Sequence, residues 1–205
     1  MRERKKQRTR EALLHAALTL FTTQGYERTT IDEITDAVEV SQRTFFRYFA
    51  GKEAAAFAVQ DAIEARFLAE LRQRPAAETP FEAMRRSFLN AWSSIAESAG
   101  NDATVELRIR TYRMIESTPA LLAAHMRRSV GLERQAALLI AEREGIAPET
   151  DPRPLVAVAA FSGVMRLTGQ LWSDRQDAGV ESLRELAELH LDALGPALSE
   201  KWRAA

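Results

Sequence analysis

Residues 29–53, TTIDEITDAVEVSQRTFFRYFAGKE, decide the fold of this chain. Their apolar spacing and capping signals predict two short helices, at about residues 31–38 and 42–48, joined by a tight turn. The first helix begins with a capping box, in which the Thr30 hydroxyl and the Glu33 carboxylate each satisfy a free backbone amide. An aromatic and basic run ends the segment. The pattern therefore predicts a helix-turn-helix.

Polar and basic side chains crowd the first turn of the second helix, which begins Ser41, Gln42, Arg43, Thr44. A helix needs such a first turn if its N-terminal end is to enter a DNA major groove. Arg43 can bridge the two acceptors of guanine, Gln42 can pair with adenine, and Thr44 can offer a hydroxyl or a methyl group. These residues are the candidates for base recognition.

Other polar residues of the segment suit the DNA backbone, because phosphates are held by helix N-termini, hydroxyls and lysines. We expect Thr30, Tyr48 and Lys52 in that role. Arg47 follows Arg43 by four residues on the same helix face, so it should reach the backbone or a base.

The aromatic run divides into a buried and an exposed part. Phe45 and Phe49 are four residues apart and are predicted to be buried, whereas Phe46 lies off that side and should meet a thymine methyl or a sugar edge. The alternative is that all the aromatic residues, Tyr48 included, are core and that the charges form a solvated face. The cap spacing, the helix lengths and the basic N-terminus argue against it.

The composition is that of a globular, helical protein. Of 205 residues, 46% are hydrophobic and 28% charged, and Gly and Pro are sparse. There is no cysteine, which excludes disulfides, thiolate metal sites and thiol catalysis. The net charge is −1, but residues 1–10 hold six Arg/Lys and one acid, as expected if this end faces phosphates.

We predict an all-α fold with two domains: an N-terminal three-helix helix-turn-helix domain, residues 1–51, and a helical ligand-binding and dimerisation domain, residues 52–205. About nine helices are expected, at about residues 7–24, 31–38, 42–48, 52–74, 80–98, 102–116, 119–145, 154–177 and 181–203. The most apolar stretch, residues 155–164, is about half a bilayer span. No signal-peptide core follows the basic N-terminus. We therefore expect a cytoplasmic protein with no membrane partner.

The helix-turn-helix segment resembles the DNA-binding domain of TetR-family transcriptional regulators over about residues 8–55. The residues that carry the resemblance are Ala17-Leu18, Phe21, Gly25-Tyr26, Thr29-Thr30, Ile34, Val40-Ser41, Thr44 to Phe49 and Lys52-Glu53. The resemblance implies a homodimeric repressor that leaves its operator when a small molecule binds the C-terminal domain. The family's DNA contacts fall on Thr30, Gln42, Arg43, Thr44, Phe46, Tyr48 and Lys52; Ser41 and Arg47 complete our candidate set.

One residue departs from the family pattern. Glu39 stands in the turn where the family usually has glycine. If this residue takes a left-handed conformation, it costs about 1–2 kcal/mol. The geometry of the turn is therefore an open point of the prediction.

The second half of the chain offers candidates for a ligand pocket but no signature. They are bulky or cationic side chains on the predicted helices, namely Phe88, Trp92, Arg108, Tyr112, Met126, Phe161 and Met165. The alternative for each is ordinary core packing. The segment LRIRTYRMIESTPAL, residues 107–121, resembles regulators of the mycofactocin-associated group, some of which respond to fatty acyl-CoA. An apolar chain with an anionic head is therefore our first hypothesis for the effector.

The last two predicted helices are candidates for a two-fold dimer interface, which would bring two recognition helices to successive major grooves. The proposed faces are Val156, Ala159, Ala160, Gly163, Val164 and Leu167 on one helix and Leu183, Leu186, Ala187, His190, Leu194 and Leu198 on the other. The alternative is that both faces pack inside the monomer.

Catalysis and metal binding have no support in the sequence. The three histidines share no metal-binding spacing, and no nucleophile elbow, Walker loop or dinucleotide fingerprint is present. We expect neither an enzyme nor a cofactor or metal. The alternative to a ligand-responsive repressor is a constitutive architectural DNA-binding protein without an effector.

Overall fold

The computed structural model describes residues 2–98, 102–175 and 179–201, and within them the fold is entirely helical. The helices are α1 (Arg2–Gln24), α2 (Ile31–Asp36), α3 (Gln42–Phe46), α4 (Lys52–Ala56), α5 (Ala58–Gln73), α6 (Pro80–Ser98), α7 (Asp102–Ser117), α8 (Pro119–Glu144), α9 (Arg153–Ser173) and α10 (Val180–Ser199). The all-α prediction is confirmed.

The described residues form ten helices where about nine were predicted. The predicted helix at 52–74 is two helices, because the backbone leaves the regular ladder at Phe57 (φ −89°, ψ −3°), whose ring is fully buried. The helix-turn-helix elements are also shorter than predicted. The Thr35 carbonyl accepts the amides of both Val38 and Val40, which closes the turn instead of extending α2.

The chain divides into two compact units, residues 1–62 with 101–125 and residues 63–100 with 126–205. This division does not follow the predicted domain boundary after Gly51, because α4 and α7 contribute to the first unit. The core of the first unit includes Ala55 of α4 and the adjacent Phe57. It also includes Leu107 and Ile115 of α7. The boundary between DNA-binding and ligand-binding functions stays a prediction.

The core of the first unit holds the helix-turn-helix in place. Phe45 is fully buried and Phe49 is nearly so, and both join Leu13, Phe21 and Ile34 in one cluster. Helices of six and five residues do not persist alone in water, so α2 and α3 owe their conformation to this packing. The predicted burial of Phe45 and Phe49 is confirmed.

The turn between α2 and α3 has the left-handed residue that the sequence raised as an open point. Glu39 has φ +54° and is exposed. A side chain in this conformation costs about 1–2 kcal/mol. The turn therefore keeps the usual backbone geometry at the expense of local strain.

Replacing Glu39 with glycine is expected to stabilise the first unit by about 0.5–1 kcal/mol. The relief of about 1–2 kcal/mol exceeds the added chain entropy of the unfolded state, about 0.4–1 kcal/mol. Hydrogen exchange of the α2 and α3 amides measures the gain. Glu39→Ala is the control, because it removes the charge and keeps the Cβ; equal stability of the two variants would contradict the strain.

In the second unit, α9 packs against α6 and α10. Its buried face includes Val158 and Phe161, but its other face exposes Leu155, Leu167 and Leu171, and Val156 is 63% exposed. By length and composition alone α9 could cross a bilayer, a property that the shorter apolar stretch of residues 155–164 did not indicate. Only 28% of its apolar window is buried within the chain. The exposed face of this helix is therefore largely apolar.

Candidate nucleic-acid interface

The N-terminus of α3 is fixed by its cap. Ser41 has extended backbone angles (φ −80°, ψ 154°), and its hydroxyl oxygen accepts the Thr44 amide at 3.3 Å. The hydroxyls of Ser41 and Thr44 also lie 3.1 Å apart. Both predicted contact residues therefore have internal hydrogen bonds, and Thr44 still has its methyl group for a base.

The first turn of α3 presents an exposed polar face above a buried aromatic one. Gln42, Arg43 and Arg47 are exposed, whereas Phe45 on the opposite side is fully buried. Phe46 is 51% exposed and packs edge-on against Phe45, with ring centroids 5.6 Å apart. The structure therefore rejects the alternative in which every aromatic residue is core.

The side chains of this face differ in what they already bind. The Arg43 guanidinium has no hydrogen-bond or ion-pair partner within the described ranges, so it is available to a ligand. Gln42 instead donates its amide nitrogen to the carboxylate of Asp32 on α2. Arg47 lies over the Tyr48 ring, 5.0 Å from its centroid, and donates to the Tyr48 hydroxyl at 3.4 Å.

The N-terminus of α2 has the predicted capping box. The Glu33 carboxylate accepts the Thr30 amide at 2.7 Å, and the Thr30 hydroxyl oxygen accepts the Glu33 amide at 3.2 Å. The Thr30 amide and the Thr30 hydroxyl both donate to the Glu33 carboxylate and hold its pKa below its ordinary value. Thr30 is exposed, but its hydroxyl already donates to the Glu33 carboxylate at 2.9 Å, so its contact with a phosphate stays a proposal.

Lys52 does more than the sequence indicated. Its ammonium donates to the carbonyl oxygens of Tyr26 at 3.0 Å, Glu27 at 3.4 Å and Thr29 at 2.7 Å, and it lies 4.8 Å from the centroid of the Tyr26 ring. An ammonium has three donors, so these bonds use all of them. Lys52 thus fixes the loop between α1 and α2, and its contact with a phosphate stays a proposal.

Lys52→Met is expected to destabilise the first unit by about 2 kcal/mol, because hydrogen bonds to charged donors contribute about 1.5–3 kcal/mol and methionine keeps only the apolar stem. Hydrogen exchange of amides in residues 25–30 should rise with it. Lys5→Met, on the exposed start of α1, is the matched control and should change neither quantity. If Lys52→Met altered only the salt dependence of DNA binding, the loop-fixing role would be wrong.

The basic N-terminus is placed by a contact that the sequence did not reveal. The Arg10 guanidinium lies over the Phe49 ring, 5.4 Å from its centroid. The first turns of α1, residues 3–8, are exposed throughout. The last residue of the basic run in α1 thus lies beside Phe49, the aromatic residue that follows α3.

The predicted pocket residues do not form one group within either unit. In the second unit, Phe88, Phe161 and Met165 share one apolar cluster, with the rings of Phe88 and Phe161 6.4 Å apart. Trp92 packs edge-on against Trp172, with ring centroids 5.8 Å apart. Met126 is half-buried.

Two predicted pocket residues, Arg108 and Tyr112, lie one turn apart on α7 in the first unit. Both are half-buried, and burial lowers the pKa of Arg108 and raises that of Tyr112. Glu106, considered as a partner for a buried arginine, instead pairs at 3.8 Å with the exposed Arg110.

A groove of about 490 Å³ runs between α6 and α10 in the second unit. Charged and polar side chains dominate the lining of this groove, which consists of Glu82, Arg85, Arg86, Leu89, Asn90, Ser93, Arg184 and Glu188. None of the predicted pocket residues is among them. No cluster of three or more metal-ligating side chains occurs in the part of the chain that the structure describes.

Comparison with known proteins shows which family this chain belongs to. Residues 13–59 match the family of bacterial regulatory proteins of the tetR type, and residues 78–198 match the MftR C-terminal domain. The transcriptional regulator TcmR of Streptomyces glaucescens is 42% identical over 99% of this chain and 90% of its own. The chain belongs to the TetR family of transcriptional regulators. Proteins of this family are DNA-binding regulators and not enzymes, which confirms the prediction that this chain is not an enzyme.

Solved structures agree in fold. The complex of SmeT with triclosan has a TM-score of 0.60 at 20% identity, over 92% of this chain and 90% of that one. Thermus thermophilus FadR, a TetR-family repressor in complex with lauroyl-CoA, has a TM-score of 0.50 at 22% identity. The match covers 96% of this chain and 98% of the FadR chain. At these identities the likeness extends to the fold alone.

Proposed function

We propose that this TetR-family regulator is a cytoplasmic, homodimeric repressor that binds a palindromic operator and leaves it when a small apolar or acyl-type effector binds. The observation that carries the DNA-binding half is the two-sided first turn of α3. Arg43 and Gln42 are exposed on one side, and Phe45 anchors the other in the core. The nine predicted residues from Thr30 to Lys52 are the proposed DNA contacts.

The proposed dimer forms through α9 and α10, and only part of the predicted faces is retained. Val156, Leu167 and Leu198 are exposed and stay in the proposed interface. On α10, Leu183 and Ala187 are buried within the protomer, and His190 Nδ1 lies 2.8 Å from the Thr168 hydroxyl of α9. These side chains pack inside the monomer, so that part of the predicted face is corrected. The large apolar side chains exposed on α9 and α10 are Leu155, Val156, Leu167, Leu171, Leu189 and Leu198.

A second copy of the chain suits this apolar surface better than a bilayer does. Arg166 is exposed near the middle of α9, and an arginine in the centre of a membrane helix costs about 2.5–3.5 kcal/mol. At a protein interface the same guanidinium can reach the polar rim. Among the described residues, a Cβ added at Gly163 would meet only the Arg166 side chain, 4.0 Å away, so close helix approach is open there.

Three observations support the proposed effector class. The ligand-binding half matches the MftR C-terminal domain, and burial has already lowered the pKa of Arg108, as expected for a partly desolvated cation that an anionic group would stabilise. FadR binds lauroyl-CoA on the same fold. In the first unit, we propose Arg108 and Tyr112 as candidate contacts of an anionic group. In the second unit, considered by itself, the candidate contacts of an apolar group are Phe88, Trp92, Met126, Phe161 and Met165.

Thermal unfolding with lauroyl-CoA, dodecanoate, dodecanol, triclosan and free CoA tests this proposal. A ligand at 100 times its Kd stabilises by about 2.7 kcal/mol, which raises the Tm of a chain of this size by roughly 5–10 °C. The same ligand should release the protein from DNA. Arg108→Met should lose the response to the anionic ligands and keep that to dodecanol. If no ligand class shifts the Tm or the DNA affinity, the protein is a constitutive DNA binder.

A further inference from the structure

The contact between Gln42 and Asp32 joins the recognition helix to the helix before it. Gln42 is the first residue of α3, and Asp32 lies in the first turn of α2. The Gln42 amide nitrogen donates to one carboxylate oxygen of Asp32, and both side chains are exposed. Because a carboxylate only accepts, the end of the amide that faces Asp32 must be its NH2 group.

This arrangement changes what Gln42 offers to a base. A free glutamine pairs with adenine by using both ends of its amide, one as donor and one as acceptor. Here one amide proton is used by Asp32, and the amide oxygen points away from it. A charged partner also polarises the amide, which strengthens its oxygen as an acceptor. The side chain therefore keeps its acceptor oxygen and one amide proton, and the hydrogen bond to the charged Asp32 fixes how the amide is oriented.

We infer that Asp32 is a specificity-determining residue: with Gln42 it forms an acceptor pair that selects a base carrying an amino group in the major groove and rejects a keto group. Adenine N6 and cytosine N4 are donors there, whereas guanine O6 and thymine O4 are acceptors. The carboxylate repels the acceptors and attracts the donors. Asp32 acts through Gln42 as a positioning residue and needs no base contact of its own.

The inference rests on the proposed function, because it requires that α3 enter the major groove. It differs from the expectation drawn from the sequence, which assigned Gln42 to adenine alone. Ten residues separate Asp32 from Gln42, and no spacing rule connects them. Only the packing of α2 on α3 brings them together.

The test measures how tightly the intact chain binds its selected operator and variants of that operator. In these variants each position carries each of the four bases in turn. The parent should prefer adenine or cytosine over guanine or thymine at one position per half-site by roughly ten- to hundredfold. Asp32→Ala should reduce that preference to within a few-fold at the same position, and Gln42→Ala should affect no other base position. Asp36→Ala is the control, because it removes the same charge from the same helix. It should keep the parental preference.

Asp32→Asn covers the case in which the alanine variant unfolds, because asparagine keeps an acceptor oxygen but removes the charge. It should lose most of the discrimination against guanine and thymine. If either folded variant keeps the parental preference at every position, the inference is overturned. If the parent selects no operator at all, the proposed function fails instead, so the two failures are distinguishable.

Discussion

Arg43→Ala is expected to lower the affinity of the dimer for its operator by roughly 2–6 kcal/mol, because a bidentate arginine–guanine contact contributes about 1–3 kcal/mol and each half-site loses one. The guanidinium is exposed and has no partner within the described ranges, so its removal should leave the fold intact. Fluorescence anisotropy with labelled operator measures the loss. The base preference at one position of each half-site should relax with it.

Arg28→Ala is a matched control for this change, because Arg28 is also exposed and belongs to the first unit but lies outside α3. Arg28→Ala should lower the affinity for the operator by less than the loss of one phosphate contact would, and it should leave the base preference unchanged. An Arg43→Ala variant that binds operator like the parent would mean that α3 does not enter the groove as proposed.

Leu167→Arg is expected to convert the dimer to a monomer and to lower operator affinity by about 10²–10⁴-fold, the range that linking two binding modules provides. The leucine is 50% exposed in the protomer, so the cost falls on the interface and not on the fold. The substitution occurs twice in a two-fold interface, next to Arg166, so like charges meet. Sedimentation equilibrium measures the change of mass.

Leu138→Arg is the control for the interface variant. Leu138 is exposed to a similar degree, 53%, but lies on α8. It should remain dimeric with parental affinity. If Leu167→Arg also stays dimeric, α9 is not the interface and its apolar surface needs another partner.

Local signals made the helix-turn-helix predictable from sequence. The Thr30–Glu33 capping box acts over three residues, and the burial of Phe45 and Phe49 with exposure of Phe46 follows from helical spacing. Each of these features depends on neighbours along the chain, which is why the sequence carries them.

Long-range contacts were not predictable. Lys52 binds carbonyls that lie 23 to 26 residues earlier, and Asp32 reaches Gln42 only because α2 packs on α3. The apolar pattern of α10 indicated a buried face but not its partner, and Leu183 and Ala187 proved to lie inside the protomer. Periodicity tells which side of a helix is buried, and it leaves open whether the same chain or another covers it.

The central claim is that two copies of α3 read one operator, and selection of bound duplexes from a random DNA pool tests it most directly. The account predicts a palindromic consensus whose half-site centres lie about 10–10.5 base pairs, or a multiple of that, apart. Within each half-site, a guanine required for binding by the parent should lose its preference in Arg43→Ala. A pool that yields no consensus, or a single half-site without its inverted repeat, would contradict the account.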